Sequence, residues 1–214
     1  MDKVLHKIAD LVCSKEKIII GISGHGASGK TTFANNLIKQ LGQNDVNYIN
    51  TDPYIIGSSN IRKYATINYE YKNENHHYKM TACHPGAHNI SALERDIHML
   101  RDGMDIYTIG THYKKSQLIS SQNKLYFIEG MSVAFANPEL FDLTVYLYTD
   151  GETEFRRRSS RDVTERGMDI NFLRQSHEER RIQYELFMHP YYKNFDVVIK
   201  NSDEEFFLEK CDLY

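Results

Sequence analysis

Residues 24–31 read Gly24-His25-Gly26-Ala27-Ser28-Gly29-Lys30-Thr31, which has the spacing G-x-x-x-x-G-K-[ST] of a phosphate-binding loop. An isoleucine-rich run, residues 18–22, precedes it, and an amphipathic stretch from Thr31 to Leu41 follows. Strand, glycine-rich loop and helix in this order form the context that the motif requires. The sequence therefore predicts a nucleoside triphosphate site over residues 24–31, with Thr32 beside it.

The loop residues have separate predicted roles. Its glycines allow backbone N–H groups to point inward around a polyphosphate, and the helix N-terminus adds a partial positive charge. Lys30 is expected to reach the β- and γ-phosphates, and the hydroxyl of Thr31 is expected to ligate Mg²⁺. ATP is thus the expected phosphate donor, and Mg²⁺ the expected metal.

Composition limits the class of protein. With 214 residues and a hydrophobic fraction of 41%, the chain is expected to form a single α/β domain over residues 1–214. Its net charge of −3 gives no general attraction to nucleic acid or to an anionic membrane. Three scattered cysteines, a polar N-terminus and no run of membrane-spanning length indicate a cytoplasmic protein with free thiols. The expected partner is a small-molecule substrate, and the sequence leaves the oligomeric state open.

Short apolar runs alternate with amphipathic stretches, which predicts a mostly parallel sheet covered on both faces, a three-layer α/β/α fold. Strands are predicted at 18–22, 46–49, 125–129, 143–148 and, as the last one, 196–199. Helices are predicted at 3–14, 31–41 and 170–188, and from a capping box that starts at Ser91 to Gly103. Residues 55–80 indicate a loop-rich insertion or flap, residues 106–109 a short strand, and residues 114–124 an exposed hairpin.

Two acidic residues follow predicted strands, where ligands collect in parallel sheets. Asp52 is a candidate to accept a substrate hydroxyl proton or to hold a Mg²⁺-bound water; alternatively it forms an Asx turn before Pro53. Glu129 ends a hydrophobic strand, where a carboxylate is costly unless it meets a metal or a partner. Glu129 and Asp52 therefore join Thr31 as predicted metal ligands.

The densest positive cluster is the run from Arg156 to Arg161. Arg158 and Arg161 lie three residues apart on one helical face, which suits them to grip phosphate oxygens as part of a lid. The alternative is a solvated helix face, with Arg158 paired to Asp162 and Arg161 paired to Glu165 at i,i+4 spacing.

Four histidines invite a metal interpretation, namely His76, His77, His84 and His88. The pair His84 and His88 has i,i+4 spacing, but Pro85 and Gly86 between them disfavour a regular helix. A zinc site is therefore not predicted.

With these residues identified, the chain resembles the uridine kinase branch of the P-loop kinases, which also includes phosphoribulokinase and bacterial pantothenate kinase. The resemblance runs from about residue 17 to residue 200. Besides the phosphate loop it rests on Asp52-Pro53-Tyr54, His84-Pro85-Gly86-Ala87-His88-Asn89, Tyr107 with His112, Ile128-Glu129-Gly130, Thr149 to Gly167, and Phe187 to Asp196.

The resemblance implies a P-loop kinase fold with a helical lid over about residues 151–170 and Asp52 as general base. It also implies that Lys30, Arg158 and Arg161 act in catalysis. The acceptor substrate would be bound by Tyr54, Cys83, His84, Tyr107, His112, Arg158 and Arg161.

Several groups that recognise ribose and base in the family are replaced. Cys83 stands where the family has the acid that holds the ribose hydroxyls, and Ala82, Ile109, Met168 and Ser176 replace other pocket residues. A thiol cannot supply the paired acceptors that a carboxylate offers to a cis-diol. The sequence thus favours an ATP- and Mg²⁺-dependent kinase for a hydroxyl of a nucleoside, such as uridine or cytidine, or of a related metabolite. Two alternatives stay open: a kinase for a non-nucleoside alcohol, and a nucleotide-binding regulatory protein with little or no turnover.

Overall fold

The computed structural model describes residues 2–42, 46–57, 65–111, 115–164, 167, 169–202 and 205–213. Its helices are α1 (Asp2–Ser14), α2 (Lys30–Leu41), α3 (Ile90–Arg101), α4 (Gly151–Thr164) and α5 (Ile170–Phe187). Its strands are β1 (Ile18–Ser23), β2 (Val46–Asn50), β3 (Thr66–Tyr71), β4 (Glu74–Lys79), β5 (Ile106–Tyr107), β6 (Leu118–Ile119), β7 (Leu125–Glu129), β8 (Leu143–Tyr148), β9 (Val197–Ser202) and β10 (Glu205–Cys211). No helix in these ranges is long and apolar enough to cross a membrane.

A six-stranded sheet forms the centre, in the order β10-β9-β8-β1-β7-β2. Neighbouring strands from β9 to β2 run parallel, and β10 is antiparallel to β9. In the register of this sheet, Ile22 lies opposite Glu129, and Glu129 lies opposite Asn50. The carboxyl ends of β1, β7 and β2 therefore meet at one edge, where the phosphate loop begins.

Both faces of the sheet are buried, which explains why β1 and β7 consist almost entirely of apolar residues. One face packs against α1 and α2, in a cluster that includes Ile8, Phe33 and Leu37. The other face packs against α3, α5 and the turns that follow β7, in a cluster that includes Ile97 and Tyr184. The three-layer α/β/α prediction is confirmed.

Residues 55–80 are predicted to form a loop-rich insertion or flap, and the loop-rich part of that prediction is wrong for the second half of the segment. Residues 66–79 form the antiparallel hairpin β3–β4. Its two-residue turn, Lys72-Asn73, has left-handed φ angles of 52° and 64° at the two positions, as a tight hairpin turn requires. Tyrosines on β3 bond to α5: the Tyr71 hydroxyl donates to Glu185, and the Tyr69 hydroxyl to Glu179. Most residues of the two strands are polar, so the sequence shows no clear strand pattern here.

Two further predictions of local structure are also wrong. Helix α3 begins at Ile90, and its N-cap, Asn89, makes no side-chain capping bond. Glu94, the predicted partner of Ser91 in a capping box, instead accepts the backbone N–H of Asn137 at 2.8 Å. The last strand is β10 rather than β9, because residues 205–211 pair antiparallel with β9. The short strand predicted at 106–109 is present as β5, and it pairs with β6, the one strand that lies within the described part of the predicted hairpin at 114–124.

Candidate active site

The backbone of the phosphate loop adopts a form that only glycine tolerates at two of its positions. Gly24 has φ +142°, and a Cβ there would lie 1.8 Å from the carbonyl oxygen of Leu147. Gly29 has φ +92°, and a Cβ there would lie 2.2 Å from Nδ2 of Asn201. The motif glycines are therefore required both by conformation and by close packing.

Lys30 is buried at the start of α2, and its Nζ donates to the carbonyl oxygen of His25 at 2.8 Å, across the loop. Burial lowers the pKa of this ammonium group, while the nearby charges of Glu129 and Asp52 act to raise it. The lysine thus lies inside the loop with both predicted acidic residues close enough to affect its charge.

Glu129 is buried at the end of β7 and faces the start of α2. Its Oε2 accepts hydrogen bonds from the Thr31 hydroxyl at 3.2 Å, the Tyr48 hydroxyl at 2.6 Å and Nδ2 of Asn50 at 3.2 Å. Burial, followed by the Glu129 charge, raises the pKa of Tyr48, so its hydroxyl remains a donor. The predicted metal ligands Thr31 and Glu129 are therefore in contact. Tyr48 and Asn50 belong to the same cluster and were not predicted from the sequence.

Asp52 begins a short 3₁₀ turn, Asp52–Tyr54, directly after β2. The Asx interaction at this turn is made by Asn50, whose Oδ1 accepts the backbone N–H of Asp52 at 2.9 Å. The Asp52 side chain is exposed and acts electrostatically on Lys30. Asp52 thus lies near enough to the phosphate loop for its charge to act on Lys30, and Asn50 makes an Asx hydrogen bond in the same turn.

His25 is a residue of the phosphate loop whose side chain is buried and connects the loop to α4. Its Nδ1 lies 2.8 Å from the Gly26 carbonyl oxygen and 3.4 Å from the Glu154 carboxylate, and its Nε2 accepts the Thr149 N–H at 3.0 Å. Although burial acts to raise it, the pKa of Glu154 is lowered by His25 and two arginines, Arg158 and Arg181. The side chain of His25 therefore fixes the loop to the segment that begins α4.

Arg158 is only 7% exposed, so it does not lie on a solvated helix face. Its guanidinium group pairs with Glu154 and Asp162, each at 3.6 Å, and Nη1 lies 3.9 Å from a Cβ built on Gly26. Arg161 donates to Asp162 at 2.8 Å and acts to lower the pKa of Lys30. Both arginines are therefore close to the phosphate loop. The alternative pairing of Arg161 with Glu165 lies outside the described residues.

Arg157 and Asn201 also hold the loop and were missed from the sequence. Asn201 donates from Nδ2 to the Ser28 carbonyl oxygen at 2.9 Å. Arg157 donates to the carbonyl oxygens of Asn201 at 3.1 Å and Ala27 at 3.4 Å. The sequence carries no signal for this contact, since 44 residues separate the two side chains.

The residues predicted to bind the acceptor differ in burial and in the contacts that they make. Cys83 is buried, and its burial raises the pKa of the thiol to about 11, so the group is neutral. Nδ1 of His84 accepts the Gly86 N–H at 3.0 Å. Tyr107 is 70% exposed on β5. His112 lies outside the described residues, as does Met168.

Tyr54, a predicted substrate-binding residue, is buried in the structure. Its ring is buried in the core cluster beneath α3, and its hydroxyl donates to Asp96 Oδ2 at 2.7 Å. The hydroxyl is therefore committed to a buried carboxylate. Tyr54 stabilises the turn that carries Asp52.

The histidines have structural partners. His88 lies between the Ser132 hydroxyl and the Ala82 carbonyl oxygen, each at 2.8 Å, and Nδ1 of His76 lies 2.9 Å from Glu179. Within the part of the chain that the structure describes, no three His, Cys, Asp or Glu residues are grouped to hold a metal ion.

Several known proteins resemble this chain in sequence or in fold. Residues 19–205 match the model of the family described as "Phosphoribulokinase / Uridine kinase family". The chain is 29% identical over 204 residues to a uridine kinase of Lactobacillus johnsonii, covering 89% of this chain and 90% of the relative. It is 28% identical over 199 residues to uridine kinase-like protein 5 of Arabidopsis thaliana; the match covers 89% of this chain but only 40% of that protein. A structure of phosphoribulokinase from Rhodobacter spheroides has a similar fold, with a TM-score of 0.64, 16% identity, and coverage of 87% of this chain and 71% of that one.

Proposed function

Because the chain belongs to the phosphoribulokinase and uridine kinase family, we propose that it is a kinase that transfers the γ-phosphate of ATP to a hydroxyl group of a small molecule. The observation that carries this proposal is the convergence of Lys30, Thr31, Glu129 and Asp52 at the phosphate loop. A protein that only binds nucleotide with Mg²⁺ needs the loop and one metal-binding carboxylate such as Glu129, but it has no need of a second, exposed carboxylate such as Asp52. This is why a kinase is favoured over a regulatory protein without turnover.

The residues near Thr31 fit Mg²⁺, which prefers hard oxygen ligands and is usually bound by one or two carboxylates together with substrate phosphates. The Thr31 hydroxyl and the Glu129 carboxylate are 3.2 Å apart and would hold the ion, with Asp52 holding one of its waters. When bound, Mg²⁺ neutralises negative charge on the phosphates. Lys30 adds a positive charge inside the same loop.

Asp52 is the group that would act on the acceptor. Its side chain is exposed, which would allow a substrate hydroxyl to reach the carboxylate. Its backbone N–H is bonded to Asn50. In the proposed reaction Asp52 takes the hydroxyl proton as the acceptor oxygen forms its bond to the γ-phosphorus, while the bond from that phosphorus to the β,γ-bridging oxygen breaks and ADP leaves. The positive charges of Arg158 and Arg161 would meet the transferring group, as parts of a lid that includes α4.

Replacement of Arg161 by alanine should lower kcat by roughly 10²-fold, because its charge is used most when the phosphoryl group moves. The affinity for ATP should change much less. Arg161 is the better test of the two arginines, since removal of Arg158 would leave Glu154 and Asp162 buried without that cation. Steady-state kinetics and ATP binding measurements compare the change in kcat with the change in ATP affinity. Arg156→Ala on the same helix is the control. A change in ATP affinity as large as the change in kcat would contradict a role in the transfer step.

The acceptor class depends on the neutral thiol of Cys83. A buried thiol offers no carboxylate to a ribose cis-diol, and it lies in the field of the buried Glu154 carboxylate, so an added acid would be disfavoured there. We therefore propose that uridine and cytidine are poor acceptors and that a related metabolite with a primary hydroxyl is preferred.

Uridine and 2′-deoxyuridine should accordingly have similar kcat/KM values in the wild-type protein, since a diol contact that is absent cannot discriminate between them. Cys83→Asp should raise uridine use by no more than about tenfold, because a single restored hydrogen bond contributes about 0.5–1.5 kcal/mol net, and about 1.4 kcal/mol corresponds to a factor of ten. The measurement is a transfer assay with ATP and Mg²⁺ against nucleosides, ribosides, pantothenate and sugar alcohols. Efficient uridine turnover by the wild type, with strong rejection of 2′-deoxyuridine, would contradict this proposal.

The remaining features of the proposal are a single domain over residues 1–214, a cytoplasmic location and a small-molecule partner, with no role in nucleic-acid or membrane binding. They rest on the composition and charge of the chain and remain predictions.

A further inference from the structure

The hydrogen bonds that the described residues make to the Glu129 side chain all end on one oxygen. Oε2 accepts from the hydroxyl of Tyr48 at 2.6 Å, from the hydroxyl of Thr31 at 3.2 Å and from Nδ2 of Asn50 at 3.2 Å. A carboxylate has two oxygens, with about four lone-pair sites in all. Because the donors crowd on Oε2, the acceptor capacity of Oε1 is left for a ligand.

The position of Tyr48 follows from the strand register. Asn50 on β2 lies directly opposite Glu129 on β7, and Tyr48 lies opposite Phe127, one step back on the same face of the strand. The Tyr48 ring packs against the apolar cluster formed with α1 and α2. Packing therefore fixes the ring, and the hydroxyl reaches along the sheet to Glu129.

The other two donors are less suited to holding the carboxylate. The Thr31 hydroxyl is itself a predicted metal ligand, so its bond to Glu129 would be given up when it turns to the ion. The Asn50 side chain is shared with the turn that carries Asp52, because its Oδ1 accepts the Asp52 N–H at 2.9 Å. Tyr48 makes the shortest of the three bonds and belongs to neither the loop nor the Asp52 turn.

We propose that Tyr48 is a positioning residue whose hydroxyl holds Oε2 of Glu129, so that Oε1 is presented to the metal ion that accompanies the nucleotide. This inference rests on the proposed function, since it assumes that the loop binds a nucleotide with Mg²⁺. It adds a residue that acts through Glu129 and touches neither the phosphates nor the acceptor.

The test is nucleotide binding by the full chain, which needs no turnover. The Kd of a fluorescent ADP analogue is measured over a Mg²⁺ titration and again in EDTA, for the wild type and for Tyr48→Phe. Loss of an outer partner of a metal ligand commonly costs roughly 10–100-fold in metal affinity. Tyr48→Phe should therefore raise, at least about tenfold, the Mg²⁺ concentration that gives half of the Mg²⁺-dependent change in the Kd of the ADP analogue. The Kd in EDTA should stay at the wild-type value.

Tyr126→Phe is the matched control. It removes a tyrosine hydroxyl from the neighbouring strand β7, where that hydroxyl donates to the Ser120 carbonyl oxygen at 3.2 Å, near the amino end of the strand. Its Mg²⁺ response should equal that of the wild type, and thermal unfolding of both variants verifies that they fold.

The outcomes separate the two proposals. If Tyr48→Phe has the wild-type Mg²⁺ response, or weakens binding equally in Mg²⁺ and in EDTA, the positioning role is overturned and the proposed function still stands. If Mg²⁺ does not strengthen nucleotide binding in the wild type, the proposed function itself fails, and the inference fails with it.

Discussion

Replacement of Lys30 by alanine is expected to abolish phosphate transfer, with a loss of kcat of at least roughly 10³-fold, because positioning and electrostatics supply nearly all of the catalysis in this reaction. Lys30 is the cation inside the loop: its Nζ bonds the His25 carbonyl oxygen at 2.8 Å, and it lies in the field of Glu129 and Asp52. Without it, the γ-phosphate loses its main charge-assisted donor. The affinity for ATP should also weaken.

The control for this variant is Lys17→Ala, which removes a lysine that donates to the Leu100 carbonyl oxygen at 2.8 Å, away from the loop. Turnover assays and thermal unfolding of both variants separate loss of catalysis from loss of folding. Full turnover by Lys30→Ala would mean that the phosphate loop is not the catalytic site.

Replacement of Asp52 by asparagine should lower kcat by a factor on the order of 10²–10⁴, which is the usual contribution of a general base. Asparagine keeps the shape of the side chain but cannot take the proton. Because Asn50 Oδ1 accepts the backbone N–H of Asp52, which the substitution leaves in place, the local backbone should be preserved. ATP affinity should change little.

Steady-state kinetics and ATP binding test this prediction, with Asp102→Asn as an exposed control at the end of α3. If Asp52→Asn loses ATP affinity while turnover per bound ATP is unchanged, Asp52 is a structural residue and its assignment as the base is wrong.

The phosphate loop and the acidic residues at strand ends could be predicted from the sequence because their signals are local. The loop spacing, the apolar run before it and the amphipathic helix after it all lie between residues 18 and 41. Glu129 ends one predicted strand and Asp52 comes soon after another, and parallel strands bring such ends to one edge.

The residues that support the loop could not be predicted, because they act across long separations in the chain. Tyr48 reaches Glu129 only in the register that pairs β2 with β7, 81 residues away. Asn201 reaches Ser28 across 173 residues. A pattern confined to one segment holds no information about such contacts.

The predictions of local structure that failed have a different cause. At Ser91 and Glu94 the residue types suit a capping box, but Glu94 bonds the backbone of Asn137 instead, so a tertiary contact replaced the local one. At Tyr54 the motif gave no indication that the ring is buried in the core, with its hydroxyl bonded to Asp96.

The central claim is that the loop, Glu129 and Asp52 form a site that transfers phosphate rather than one that only binds nucleotide. The most direct measurement uses ATP labelled with ¹⁸O in the γ-phosphate, Mg²⁺ and a panel of small alcohols, with products identified by mass spectrometry. We expect ADP to form only when an accepted alcohol is present, with the labelled phosphoryl group on that alcohol and no transfer by Lys30→Ala. Tight binding of ATP with no labelled product from any alcohol, or equal ADP formation without an acceptor, would contradict the account.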